Sequence, residues 1–335
     1  MTAFRRRRLV IAIVVVAALA GGYAMYWRVT ARMLADALAQ WTAARQGEGY
    51  RVEGMDAPVT GFPFAFRLHA EAPVLAAPAG AWTWRGPALE VMARPWQPFR
   101  IFFSAPGRHY LEFAASPRPG RIVVTAGALN GETRFEGDGA PRRFSLAVAD
   151  LTAIEDPGAA LALAEATLEL FQDPAGGDDR PFALALSGLA LPSAAATLDP
   201  VVSRLEAAGT LRGAFAPGAP RQSLAGWREA GGTLDLGRLD LAWGPLGASG
   251  DGTFGLDRAL QPEGAMNLAL TGYGAALDRL VAAKLIASDD GLIAKLALDA
   301  TAGPDGAARV PVTIQEQTLY VGPLPLLRLA PVPWP

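Results

Sequence analysis

Thr233-Leu234-Asp235-Leu236-Gly237-Arg238-Leu239-Asp240-Leu241-Ala242-Trp243 decides the fold class. Leucines alternate with charged or polar residues on both sides of Gly237. Period two places one set of side chains on one face of a strand and the other set on the opposite face. A dry face and a wet face on the same strand are the mark of an antiparallel sheet.

The same period recurs outward from this stretch. Upstream, Phe64, Phe66 and Leu68 alternate with Ala65, Arg67 and His69, just after the break Gly61-Phe62-Pro63. Strand patterns follow at 82–84, 89–93, 100–104, 109–113, 121–125, 133–136, 144–148, 160–171 and 182–186, and in parts of 198–215. Gly, Pro, Asn or Asp punctuates nearly every gap, as turns require. Downstream, 250–256, 265–270, 309–316 and 318–321 continue the pattern, and a Pro-rich tail runs from Pro323 to Pro335. Three helices interrupt the strands. Arg221–Glu229 carries Leu224 and Trp227. Ala275–Ala287 has Leu277, Leu280, Val281 and Leu285 on one face. Asp289–Thr301 is expected to be capped by Asp289 or Asp290, with Leu292, Ile293, Leu296 and Leu298 as its apolar side.

The N-terminus is of another kind. Arg5, Arg6, Arg7 and Arg8 precede the stretch Leu9–Trp27, which has no charged residue. Its 19 residues are close to the ~20 that cross a bilayer core as a helix. Tyr23, Tyr26 and Trp27 crowd its far end, where aromatic rings favour the membrane–water interface. The arginines set the orientation: they stay cytoplasmic and the rest of the chain is exported. Ala18-Leu19-Ala20 also has the form of a signal-peptidase site. The apolar run continues beyond it, so an uncleaved signal anchor is preferred to a cleaved, soluble periplasmic form. Thr30–Gln46 then reads as an amphipathic helix with Leu34, Leu38 and Trp41 on one side, ended by Gly47 and Gly49.

These signals predict a mainly β protein with a few helices (α+β). An N-terminal transmembrane helix is followed by a long antiparallel sheet, either open and curved or folded as a sandwich, with two or three short C-terminal helices. The chain divides into a cytoplasmic basic segment (1–8), a transmembrane anchor (9–27), a juxtamembrane helix (28–49), an N-terminal β-rich region (50–197) and a C-terminal β-rich region with short helices (198–335).

Composition narrows the chemistry. The 335 residues include no Cys and two His, His69 and His109, and carry a net charge of −2. Disulfides, thiol nucleophiles, Cys-ligated zinc and lipoprotein attachment are excluded. A near-neutral chain is not a general nucleic-acid binder, so no nucleic-acid partner is expected. Only Lys284 and Lys295 are lysines, which reflects a genomic Arg bias rather than phosphate recognition. Gly250-Asp251-Gly252-Thr253-Phe254-Gly255 matches G-x-G-x-x-G. It lies between strand patterns, without the strand-to-helix turn that cradles a pyrophosphate, so the match is taken as chance. No G-x-S-x-G, no G-x-x-x-x-G-K and no H-E-x-x-H occurs. Asp178-Asp179 reads as a turn, and neither histidine reads as a catalytic base. No catalytic residue, metal ligand or cofactor is assigned, and a non-enzymatic protein is expected. An envelope hydrolase would need a carboxylate pair that nothing in the sequence selects.

A sheet with one dry face needs a cover, and few helices are available to supply it. Two sheets packed together would give a scaffold or partner-docking module. One sheet left open would give an apolar groove for phospholipid or another apolar ligand. Phe62, Phe64, Phe66, Trp82 and Trp84 are the candidate groove residues, near the anchor; ordinary core packing is the competing reading of the same rings.

The arrangement resembles the bacterial domain of unknown function 2125 family, found mainly in alphaproteobacteria. The resemblance rests on the anchor and the Leu34/Leu38/Trp41 helix, Gly61-Phe62-Pro63 before an aromatic strand, Gly231–Leu241, Gly252–Asp257, Gln261–Gly264, and Thr318-Leu319-Tyr320-Val321-Gly322-Pro323-Leu324-Pro325. It covers nearly the whole chain and implies an envelope protein without assigned catalytic residues. The Gly-rich strands of the second half are also similar in style to AsmA-like envelope proteins. That similarity implies a β-sheet trough for phospholipid handling, acting locally or with other envelope proteins. The expectation is a bacterial inner-membrane protein of single pass, with its bulk in the periplasm, that binds or hands on lipid in envelope maintenance.

Overall fold

The computed structural model describes residues 2–113, 120–136, 141–156, 158, 160–173, 177–192, 197–215, 220–332 and 334; the side chains of 2–6, 156 and 220 lie outside the description. Arg5 and Arg6 are therefore placed on a helix without side-chain detail.

The anchor and the juxtamembrane segment form one uninterrupted helix, α1 (Thr2–Gly47). From Leu9 to Gly22 its apolar run is exposed, and the helix is long and apolar enough to cross a membrane. The strands are β1 (Arg51–Glu53), β2 (Phe66–Ala70), β3 (Val74–Ala76), β4 (Trp82–Arg85), β5 (Leu89–Arg94), β6 (Gln97–Ser104), β7 (Gly107–Phe113), β8 (Gly120–Phe135), β9 (Pro141–Asp156), β10 (Ala160–Phe171), β11 (Arg180–Ala190) and β12 (Val201–Arg212). After α2 (Pro220–Glu229) come β13 (Thr233–Trp243), β14 (Leu246–Leu256) and β15 (Pro262–Thr271). Then follow α3 (Tyr273–Ala282), α4 (Ser288–Thr301), β16 (Ala308–Gln315), β17 (Thr318–Val321) and β18 (Leu324–Arg328).

All these strands belong to one antiparallel sheet. From β7 to β18 each strand pairs with the next in sequence, as short turns between neighbours favour. β8 is a fork. Its first half pairs with β7 and its second half with β6. One arm continues as β6-β5-β2 and the other as β7-β4-β3-β1. The longest path crosses β1, β3, β4 and β7–β18, about 65 Å at ~4.8 Å per strand. The sheet does not close, and no second sheet packs on it among the described residues. It is open rather than a sandwich.

Among the described residues two clusters cover the sheet at its two ends, and α2 packs Trp227 on Phe215 and Gly232 where β12 ends and β13 begins. Trp27 and Ala31 of α1 pack on Phe66 and Ala93, with Val59 and Ile101 at the margin. At the other end Leu277, Ile286, Ala294 and Leu298 from α3, α4 and their linker pack on Ala248, Leu268, Leu270, Ala308, Val310, Val312 and Val321.

Several local expectations are corrected. Phe64 is not in a strand; β2 starts at Phe66, after a turn in which the Phe64 and Ala65 N–H groups donate to Gly61 O. α3 stops at Ala282 rather than Ala287, because Lys284 turns left-handed at φ 58 and sends Ile286 into the core. Neither Asp289 nor Asp290 caps α4. Ala287 stands at the cap without a side-chain bond, and both carboxylates sit in the first turn, where they favour the helix dipole. α4 also buries a different face from the one expected. Gly291, Ala294 and Leu298 face inward, while Leu292, Ile293 and Leu296 are exposed. Small residues win the inner face because the helices approach closely: a Cβ on Gly291 would meet Val281 Cγ2 at 2.6 Å. Finally, the Pro-rich tail contains the edge strand β18, where Pro325 is tolerated because an edge leaves one row of donors unpaired.

Candidate functional site: an uncovered apolar face

Cross-strand partners point to the same side of a sheet, so the ladders show which residues share a face. One row runs Leu68–Val91–Phe103–Gly131–Leu146–Leu168–Leu184–Ala207–Leu239–Gly250–Leu268–Val310 across twelve strands. A flanking row runs from Leu129 through Val148, Ala166, Leu186, Leu205, Leu241, Ala248 and Leu270 to Ala308. On the other flank lie Phe144, Leu170, Phe182, Gly209, Leu236, Gly252 and Met266. None of these positions is charged. Their glycines fit tight points of the surface: the Phe103 ring occupies the space where Gly131 would carry a Cβ, and stacks on Phe144 at 5.9 Å.

The other face is polar and laced by ion pairs. Arg100 grips both Glu132 oxygens at 2.7 Å. Arg143 pairs with Glu169, Arg204 with Asp240, Arg212 with Asp235, and Arg238 with Glu206. Arg100 holds the Glu132 carboxyl below the usual carboxylate range, and Arg212 does the same to Asp235. These are solvated cross-strand pairs, worth little in stability, that keep this face wet.

A one-residue slip preserves the sidedness of the long strands. Across β8–β11 the ladder skips a pair at the level of Gly127, Asp150, Ala164 and Gly188. Asp150 and Gly188 have φ of 51° and 62° there. Beyond the slip the row is Ala126–Leu151–Leu163–Leu189–Val202–Trp243. Trp243 lies two residues past Leu241, so this row shares the apolar face. In keeping with that, Leu151 and Ala153 are half-buried whereas Ile154 on the other side is 50% exposed.

Between the two covered ends, β8–β12 carry this apolar face without a helix over it among the described residues. Leu146, Leu168, Leu184 and Phe182 are only half-buried, shielded by their neighbours in the sheet with nothing above them among the described residues, whereas Leu239 of β13 packs on the margin of the C-terminal core. Contiguous exposed apolar surface of this extent is uncommon unless it meets a ligand, membrane or partner. Its near end reaches α1. A cavity of about 190 Å³ opens between Leu34 and Leu38 of α1 and Phe66, Leu68, Val91, Ala93 and Ile101, the first members of the same rows.

The expected groove residues separate. Phe66 is buried (3% exposed), stacked on Trp27 at 5.4 Å, and lines that cavity. Phe62 and Phe64 are 54% and 72% exposed on the preceding turn, outside the rows. Trp82 and Trp84 stand on the other arm, paired with Phe113 and Leu111. The rings therefore do not form one groove mouth. The central leucines were missed, although their period-two spacing was visible; their alignment across strands depends on register, which a single strand does not disclose.

No group of three His, Asp or Glu that could hold a metal occurs among the described residues. His69 is exposed. His109 is buried, with Trp84 Nε1–H directed at its Nδ1 (3.4 Å) and Nε2 against Ala105 O (3.0 Å). The proton therefore belongs on Nε2, and burial pushes the pKa down despite the carbonyl. Gly250 and Gly252 lie within β14 and not at a helix start, so their motif cradles no phosphate. Asp179 accepts from Arg212 and from Gly213 N–H and so ties the start of β11 to the end of β12.

No curated protein and no solved structure matches this chain. The bacterial family described as "Uncharacterized protein conserved in bacteria (DUF2125)" matches residues 27–330, from the last residue of the apolar run to within a few residues of the end. The chain belongs to the DUF2125 family.

Proposed function

We propose that this protein is a non-enzymatic, membrane-anchored binder of acyl chains, of phospholipid or another apolar molecule, serving maintenance of a bacterial envelope. Leu9–Trp27 crosses the inner membrane, Arg5–Arg8 remain in the cytoplasm, and the sheet lies in the periplasm. The observation that carries this reading is the uncharged row from Leu68 to Val310. It starts beside α1 and lies uncovered over β8–β12 among the described residues. A flexible acyl chain suits such a surface: it offers no polar group needing a partner, and burial contributes about 0.8 kcal/mol per CH₂. A lipid leaving the bilayer would meet the row at its Leu68 end first.

The test is native mass spectrometry of the full-length protein released from detergent. The reading predicts retained phospholipid-mass adducts. Protein free of lipid, or carrying a protein partner in stoichiometric amount, would contradict it and favour a docking scaffold.

A further inference from the structure

Two loop tips meet α1 at the height where the apolar run ends. Tyr23 donates its hydroxyl to Pro63 O, Tyr26 to Pro95 O (2.9 Å), and Trp27 its indole N–H to Ala65 O (3.1 Å). Residues 23 and 27 are one helical turn apart, about 6 Å along the axis, so both tips are pinned at that level. Phe62 lies edge-on to Trp27, with ring centroids 5.5 Å apart. From these tips Phe62, Phe64, Trp96 and Phe99 project, each more than half exposed. Packing inside the protein does not account for them. Exposed rings cost little when they sit in the interfacial layer of a bilayer, which is where Tyr23, Tyr26 and Trp27 already place the helix.

We propose that the tips Phe62–Phe64 and Trp96–Phe99 insert into the leaflet from which α1 emerges, docking the near end of the sheet on the bilayer surface. This rests on reading Leu9–Trp27 as a span, and it holds whether or not the sheet carries lipid. Docking would press the cavity beside Leu34 and Leu38 toward the headgroup layer and hold the sheet at a fixed angle to the membrane.

The absence of native cysteine makes the test direct. Spin labels are placed singly through Phe64→Cys, Trp96→Cys, Val15→Cys and Asp290→Cys in the full chain. The chain is reconstituted in phosphatidylethanolamine–phosphatidylglycerol vesicles. Collision rates with oxygen and with a water-soluble nickel chelate report immersion. Labels at 64 and 96 are expected to show an oxygen-to-nickel ratio at least threefold above the label at 290. Ratios equal to that at 290, with the label at 15 deeply immersed, would overturn docking and leave the span intact. A label at 15 that is not immersed would overturn both.

Discussion

Replacing Leu168 and Leu184 together by Asn should strip bound lipid from the protein while leaving it folded. The two leucines are cross-strand partners at the centre of the uncovered face. Both are half-buried, with water above them in the free protein. Asn there keeps its amide solvated, so the folding cost should stay near 1 kcal/mol per site, well below that of a core change. With an acyl chain seated on the row, each Asn loses apolar contact and traps an amide without a partner, a cost of about 1–3 kcal/mol on protein scales. A combined loss of about 2–6 kcal/mol corresponds to roughly 30- to 20,000-fold weaker retention. The control is Thr167→Asn with Ala185→Asn, the neighbouring cross-strand pair on the polar face. Lipid extracted from equal amounts of purified full-length protein is quantified by mass spectrometry, and Tm is measured alongside. Equal lipid in both double variants would refute the reasoning, as would a collapse of Tm in the first alone.

Leu298 is 3% exposed in the one extensive core, so Leu298→Ala should cost about 2–5 kcal/mol in urea unfolding, whereas Leu168→Ala should cost less than half as much; equal costs would mean that the central face is covered. Gly188 combines φ 62° with a Cβ site 2.8 Å from Ala164 Cβ, so Gly188→Val should destabilise by at least ~1–2 kcal/mol, and a neutral result would mean that the slip is not built as described. His109 is held neutral, with its folded pKa below the unfolded value of about 6.5. Its contribution is full above that pH and is lost as pH falls toward the folded pKa. Tm should therefore drop more between pH 7.5 and 5.5 in the wild type than in His109→Gln, and parallel slopes would contradict this.

Much of the architecture was legible one strand at a time. Residues 160–171 and 318–321 coincide with β10 and β17, because period-two alternation reports burial on one face directly. The uncharged run likewise marked a helix long and apolar enough to cross a membrane without any tertiary information. What did not show was whatever depends on partners distant in sequence. Open against closed turns on whether anything covers Leu146, Leu168 and Leu184, and no local pattern encodes a missing cover. α4 looked apolar on its leucine side, yet close packing against Val281 and Ile286 selected Gly291 and Ala294. Phe64 continued an alternating pattern into what is a turn, because period-two spacing of aromatic rings reads the same on a strand and just before one. The slip at Asp150 and Gly188 was hidden too, although the shift from Leu146 and Val148 to Leu151 and Ala153 records it in the sequence.

The central claim is that β8–β12 present a face to lipid and not to protein or water. The most direct measurement places a benzophenone side chain at Leu184, and separately at Ala183, in the full-length protein in living cells. Irradiation should yield a phospholipid adduct on the intact protein at 184 and none at 183. Adducts of equal yield at both positions, or a protein cross-link at 184 in place of lipid, would contradict the account.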